Sequence, residues 1–150
     1  MIKVQYPSYD FKLKHEGEKH SVFCIIRKQW LVLTEEEWVR QNFVAYLITV
    51  LHYPATLIAV EKEILLNGLK KRFDILVYDR SHKPWMMIEC KEPKVQLSEN
   101  VLQQVLRYHM TVSVEYIVIT NGSSTIAWKK NEGALVLLNE LPGFGVRNFK

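Results

Sequence analysis

The stretch Trp85-Met86-Met87-Ile88-Glu89-Cys90-Lys91 constrains this chain more than any other. It is apolar enough to be a buried strand, yet it carries a carboxylate and an ammonium two residues apart. Side chains alternate across a strand, so Glu89 and Lys91 share one face while Ile88 and Cys90 point the other way, into apolar packing. Unpaired buried charge is costly. Mutual pairing, a metal ion or a negatively charged substrate must justify it. A second anomaly, Asp74, stands one hairpin earlier, at the start of the apolar run Ile75-Leu76-Val77-Tyr78.

The flanking sequence says what surrounds these charges. Thr34 followed by Glu37 is a capping box, and Glu35, Glu36 and Glu37 suit a helix N-terminus. Val39, Phe43, Tyr46, Leu47 and Val50 recur at helical spacing, so a helix runs from Thr34 to about Leu51 and Pro54 closes it. From spacing alone the stripe Glu37, Arg40, Gln41 and Val44 reads as solvent-facing. Residues 57–66 and 70–79 are strands joined at Asn67-Gly68, a strong hairpin signal. A turn over 79–84 leads to the third strand, 85–91, which Glu92-Pro93 ends. Leu97 to about Val112 reads as a second helix with Ser98 as cap. Its apolar side is Leu97, Val101, Leu102, Val105, Leu106 and His109. Strands follow at 115–120, 125–129 and 134–138.

Residues 1–33 read as an N-terminal extension packed on the core, 34–141 as the core and 142–150 as a loose tail. Within the extension, Lys14 to His20 is a polar turn, 21–26 and 29–33 are short strands, and Arg27-Lys28 are solvent charges. The element order predicts an α/β fold. Three antiparallel strands and a parallel crossover form a mixed sheet with helices packed on it.

The 150 residues suffice for one domain with a core. No apolar run approaches the roughly 20 residues that span a bilayer, and Met1 to Pro7 lacks the apolar centre of a signal peptide. Cys24 and Cys90 lie far apart in apolar surroundings, which fits free thiols in a reducing compartment better than a disulfide or a zinc site. The cytoplasm is the expected location. A net charge of +4 permits a polyanionic partner without demanding one.

Asp, a hairpin-length gap and Glu-x-Lys form the pattern written PD-(D/E)xK, that of metal-dependent phosphodiesterases. Hydrolysis of a phosphodiester needs a hard divalent cation held by one or two carboxylates. The cation activates a water and neutralises phosphoryl charge, and a nearby lysine can orient the water and stabilise the transition state. Asp74 and Glu89 on adjacent antiparallel strands can meet at about 5 Å, with Lys91 beside them and the Cys90 backbone carbonyl as a further oxygen. The same residues also read as structural ion pairs, Lys91 with Glu89 or Arg72 with Asp74. Gln104 and Tyr108, at i and i+4, share a helix face. They suit a phosphate or a water, although spacing alone favours a core-edge tyrosine with a solvated glutamine. Glu37 lies where a third carboxylate could reach a metal through water.

Taken in order, a longer set of residues resembles the N-terminal nuclease domain of type I restriction enzyme R subunits, in its compact stand-alone branch. The set is Arg27-Lys28, Leu33 to Gln41, Val60-Glu61, Arg72 to Tyr78, Ile88 to Lys91, Gln104 to Tyr108 and Ile119 to Gly122. The resemblance implies a restriction-endonuclease-like α/β/α core acting on DNA with Mg2+ or Mn2+. Asp74 and Glu89 would be metal ligands, Lys91 the catalytic lysine and Glu37 the helix carboxylate that completes the site. Gln104 and Tyr108 would be the Q-xxx-Y motif beside the DNA, with Arg40 and Gln41 as further DNA-binding or accessory groups. The implied partners are a motor ATPase or other restriction-modification subunits, with no membrane and an open oligomeric state. Phe73 replaces the nominal proline before Asp74, and Cys24 stands where an aspartate is expected. These residues hold no Gly-x-x-x-x-Gly-Lys loop, so DNA translocation is not expected of them. A non-catalytic DNA-binding or assembly module with the same fold is the alternative.

Overall fold

A computed structural model describes residues 1–66 and 68–145, with Leu66 by its backbone alone. The elements in chain order are β1 (Leu13–Glu16), β2 (Lys19–Cys24), β3 (Gln29–Val32), α1 (Glu35–Thr49), a single 3-10 turn (Ala55–Leu57), β4 (Ile58–Leu66), β5 (Leu69–Tyr78), β6 (Pro84–Cys90), α2 (Glu99–His109), β7 (Tyr116–Thr120), β8 (Thr125–Asn131) and β9 (Ala134–Leu137). The main sheet runs β4-β5-β6-β7-β8-β9. All its neighbours are antiparallel except β6 and β7, which are parallel as the α2 crossover requires. Asn67 of the hairpin signal falls outside the described residues, while Gly68 takes φ 78° and Leu69 pairs with Leu66.

One helix layer covers each face. Val39, Phe43, Val44 and Leu47 of α1 pack against Ile75, Val77, Met86, Ile88, Cys90 and Val118. On the opposite face Phe73, Leu76, Met87 and Ile117 pack with Val112 and Val114, and Leu106 of α2 lies against them. The mixed sheet expected from the element order, and the α/β/α layering that the resemblance implies, are therefore observed. At the start of α1, the Glu37 N–H donates to Thr34 Oγ1 at 3.0 Å. The reciprocal half of the capping box is replaced, because the Glu37 carboxylate is engaged by Arg40 and Gln41.

Alternation holds along β5 from Ile75 to Tyr78 and then breaks. Ile75 and Val77 face α1, yet Phe73, which has the same parity, packs on the α2 side. β4 behaves identically: Ile58 and Val60 face α1, whereas Ile64 lies on the α2 side. The pairing register runs through unchanged, with Val60 opposite Ile75 and Lys62 opposite Phe73. Both strands therefore roll over together at one level, that of Glu61 and Asp74. Glu61 makes the roll in the left-handed region, at φ 51°, a conformation that costs a non-glycine residue free energy.

Two expectations at the ends are corrected. The polar segment after Lys12 is not a bare turn, because Leu13–Glu16 is a strand hydrogen-bonded to β2 around a tight turn at Gly17, φ 63°. Charged residues on both strands hide it from a hydrophobicity pattern. The segment after Leu141 is packed as far as Phe144, whose ring lies 5.6 Å from Tyr53 and 5.4 Å from Trp85. Tyr53 Oη also donates to the Pro142 carbonyl.

Candidate active site

The end of β6 and the exposed side of α2 enclose a cleft of about 260 Å³, lined by Glu89, Lys91, Gln104, Val105, Tyr108 and His109. Glu89 and Lys91 share this face, with Lys91 Nζ 3.7 Å from Glu89 Oε1. Gln104 and Tyr108 stand one helical turn apart above them. Tyr108 is exposed rather than sealed at the core edge. Lys71 Nζ lies 4.3 Å from the Tyr108 ring centroid and donates to the Tyr108 carbonyl at 2.7 Å. His109 closes the floor. It is 2% exposed, its Nε2 is 3.4 Å from Glu89 Oε2, and its Nδ1 has no partner among the described residues.

Asp74 sits where β5 and β6 part. Backbone pairing is regular from Val77 opposite Met86 to Ile75 opposite Ile88. Beyond that point Asp74 Oδ2 accepts from the Cys90 N–H at 2.8 Å, a side chain standing in for the ladder. Its Oδ1 accepts from Arg40 Nη2 at 3.1 Å. Arg40 is the hub of a closed network. It pairs with Glu37 one turn earlier, with Glu36 at 3.2 Å and with Glu61 Oε1 at 3.3 Å, while Gln41 Nε2 donates to Glu37 Oε2 at 3.1 Å. The solvent-facing reading of this stripe is overturned: Glu37, Arg40, Gln41 and Val44 are all buried. Polar residues at helical spacing fit a buried ion network as well as a wet surface, and here Asp74 and Glu61 supply the partners. Arg40 and Gln41 face Glu37 from inside the protein, so neither presents a surface to DNA. Arg27 and Lys28, read as solvent charges, are both exposed, and Arg27 also pairs with Glu61 at 2.8 Å.

The electrostatics follow from this packing. Burial first, and then the negative charge of Glu89, push the Asp74 carboxyl up to about 7, against the pull of the Cys90 N–H and Arg40. Burial opposes the charge on Arg40, but Glu37 and Asp74 outweigh it and hold the guanidinium fully charged. Burial also raises the Cys90 thiol, which makes it an inert core group.

The Glu89 charge raises the proton affinity of Asp74, which marks a place where a cation is electrostatically wanted. The donors offered, Asp74, Glu89 and the Cys90 carbonyl, are all oxygen, which suits Mg2+ or Mn2+. Among the described residues no three His, Cys, Asp or Glu side chains converge as a metal cage. The set therefore fits a hard ion that keeps several waters, with Glu37 reaching it only beyond Arg40. Sequence reasoning missed Glu61 and His109 as members of the site. The charge that follows Val60 in an apolar run was the available signal for Glu61, whereas the apolar-side position of His109 gave none.

Among solved structures, the chain is similar to a candidate nuclease belonging to DUF820 from Anabaena variabilis ATCC 29413, at 11% identity and a TM-score of 0.48 over 85% of this chain and 80% of that one. No curated protein matches. No helix among the described residues is long and apolar enough to cross a membrane. The family model for the type I restriction enzyme R protein N terminus matches residues 35–142, which run from the first turn of α1 to just beyond β9 and include every charged group of the cleft and of the Arg40 network except Arg27. The chain belongs to the family of type I restriction enzyme R protein N termini.

Proposed function

We propose that this domain is a Mg2+- or Mn2+-dependent endonuclease of DNA, working in the cytoplasm with a motor ATPase or other restriction-modification subunits. The observation that supports this most is the cleft in which Glu89 and Lys91 meet Gln104 and Tyr108. Asp74, Glu89 and the Cys90 carbonyl would hold the cation. When bound, it would supply charge neutralisation and a more acidic water. Lys91 would orient that water and donate to the phosphoryl oxygens as their negative charge grows. Gln104 offers an amide to the DNA backbone, and the exposed face of Tyr108 offers a stacking surface. Arg40 and Glu37 act at one remove, fixing Asp74 in the gap between β5 and β6.

One observation favours the second reading, a DNA-binding or assembly module without catalysis. Both Asp74 oxygens already have donors, in Arg40 and the Cys90 N–H. Incubating supercoiled, linear and single-stranded DNA with Mg2+, with Mn2+ and with chelator separates the two, with and without a motor subunit. Cutting that needs the cation supports the nuclease. DNA affinity that survives chelator, with no cutting in any condition, leaves the module.

A further inference from the structure

Two arginines outside the cleft meet on one oxygen. Arg27 Nη1, from the β2–β3 turn, lies 2.8 Å from Glu61 Oε2, and Arg72 Nη2, from β5, lies 3.1 Å from the same atom. The other Glu61 oxygen faces Arg40, whose charge Glu37 and Asp74 already answer. Two guanidiniums therefore share one carboxylate oxygen, and the arrangement has a built character. The left-handed backbone at Glu61 aims the carboxylate. Gln29, with its amide turned to satisfy both of its ends, accepts from Arg27 Nη2 at 2.9 Å and Nε at 3.0 Å. Arg27 thus uses three of its five N–H groups and keeps two to offer. The Arg72 side chain is 64% exposed.

The position matters as much as the charge. Glu61 lies opposite Asp74 in the β4–β5 register, and the Arg72 N–H is 3.5 Å from Tyr108 Oη, which lines the cleft. We propose that Arg27 and Arg72, held side by side by Glu61, form a clamp for one DNA backbone phosphate next to the scissile position. A phosphodiester monoanion offers acceptors to the N–H groups the pair leaves over, and guanidiniums match its oxygens bidentately. The inference rests on DNA as the substrate. It also gives the N-terminal sheet a role in binding. Arg27 precedes the stretch that matches the family, so the three strands β1–β3 carry a substrate contact into the site.

The clamp is tested by the salt dependence of binding to a fluorescent DNA duplex, in Ca2+ so that affinity is read without cutting. Arg27→Gln and Arg72→Gln should each lower the slope of log affinity against log salt, and the double variant by about 0.9, the value of one phosphate. Arg27→Lys and Arg72→Lys should restore most of the slope, because charge is kept. Lys14→Gln, on the outer strand β1, removes the same charge and should leave the slope unchanged. Unfolding midpoints should stay near wild type, since ion pairs at the surface contribute little to stability. Slopes equal to wild type in both arginine variants would overturn the clamp while leaving the nuclease reading intact. Slopes lowered equally by Lys14→Gln would reduce the effect to net charge and overturn the clamp as well. Wild-type protein that binds no DNA at all would overturn both.

Discussion

The two sides of β5 and β6 carry similar residues to opposite ends. On the α1 side, Arg40 is 5% exposed in its side chain and answers Glu36, Glu37, Glu61 and Asp74 together. On the α2 side, Glu89 has, among the described residues, Lys91 at 3.7 Å and His109 at 3.4 Å, and the space before it is open. The closed side spends its charges on one another and fixes geometry. The open side leaves a carboxylate and an ammonium loosely paired. Asp74 is held by the closed side, through Arg40 and the Cys90 N–H, and feels the Glu89 charge of the open one.

The contrast is broken most directly at Arg40. Arg40→Ala leaves Glu37 and Asp74 as buried carboxylates without their cation, and should lower stability by about 3–5 kcal/mol in urea unfolding. Lys91→Ala, on the open side, should change it by less than about 1 kcal/mol. Comparable losses in the two variants would remove the distinction between a closed and an open side.

The pH dependence sharpens it. The native Asp74 carboxyl titrates near 7, whereas in an unfolded chain it titrates near its ordinary 3.8. The folded state therefore binds more protons between these values, and the Asp74 contribution to stability falls as pH rises from about 4 to about 7. Asp74→Asn cannot titrate, so its unfolding free energy should fall less steeply across that window. If the two pH profiles run parallel, the packing and the Glu89 charge do not act on Asp74 as described.

The smallest expected effect lies under the cleft. His109 holds Glu89 from behind and packs 5.5 Å from the Phe73 ring. His109→Phe keeps the packing and removes the contact. It should weaken Mn2+ binding about tenfold in calorimetry with little change in the unfolding midpoint. Unchanged Mn2+ affinity would make His109 a core residue and nothing more.

How far the sequence reveals this molecule depends on the kind of signal. The capped start of α1, the three-stranded meander and the shared face of Glu89 and Lys91 follow from local periodicity, which the fold preserves. Gln104 and Tyr108 share the cleft because i, i+4 spacing fixes a helix face whatever packs around it. The buried Arg40 network could not be read, because polar spacing does not say whether water or another carboxylate lies opposite. The roll of β4 and β5 at Glu61 and Asp74 was also hidden. It leaves the register intact and breaks only the alternation, and no glycine marks the left-handed residue. Strand β1 was missed because cross-strand hydrogen bonds, rather than apolar side chains, hold it to β2.

The claim that this fold is a working nuclease is tested most directly by one comparison: DNA cleavage in Mn2+ by wild type and by Lys91→Ala, each with and without a motor subunit. The account predicts cutting by wild type that stops in chelator, and a loss of about a hundredfold or more in Lys91→Ala with the unfolding curve unchanged. DNA left intact by the wild type in every combination, or cut equally by the folded Lys91→Ala variant, would contradict it.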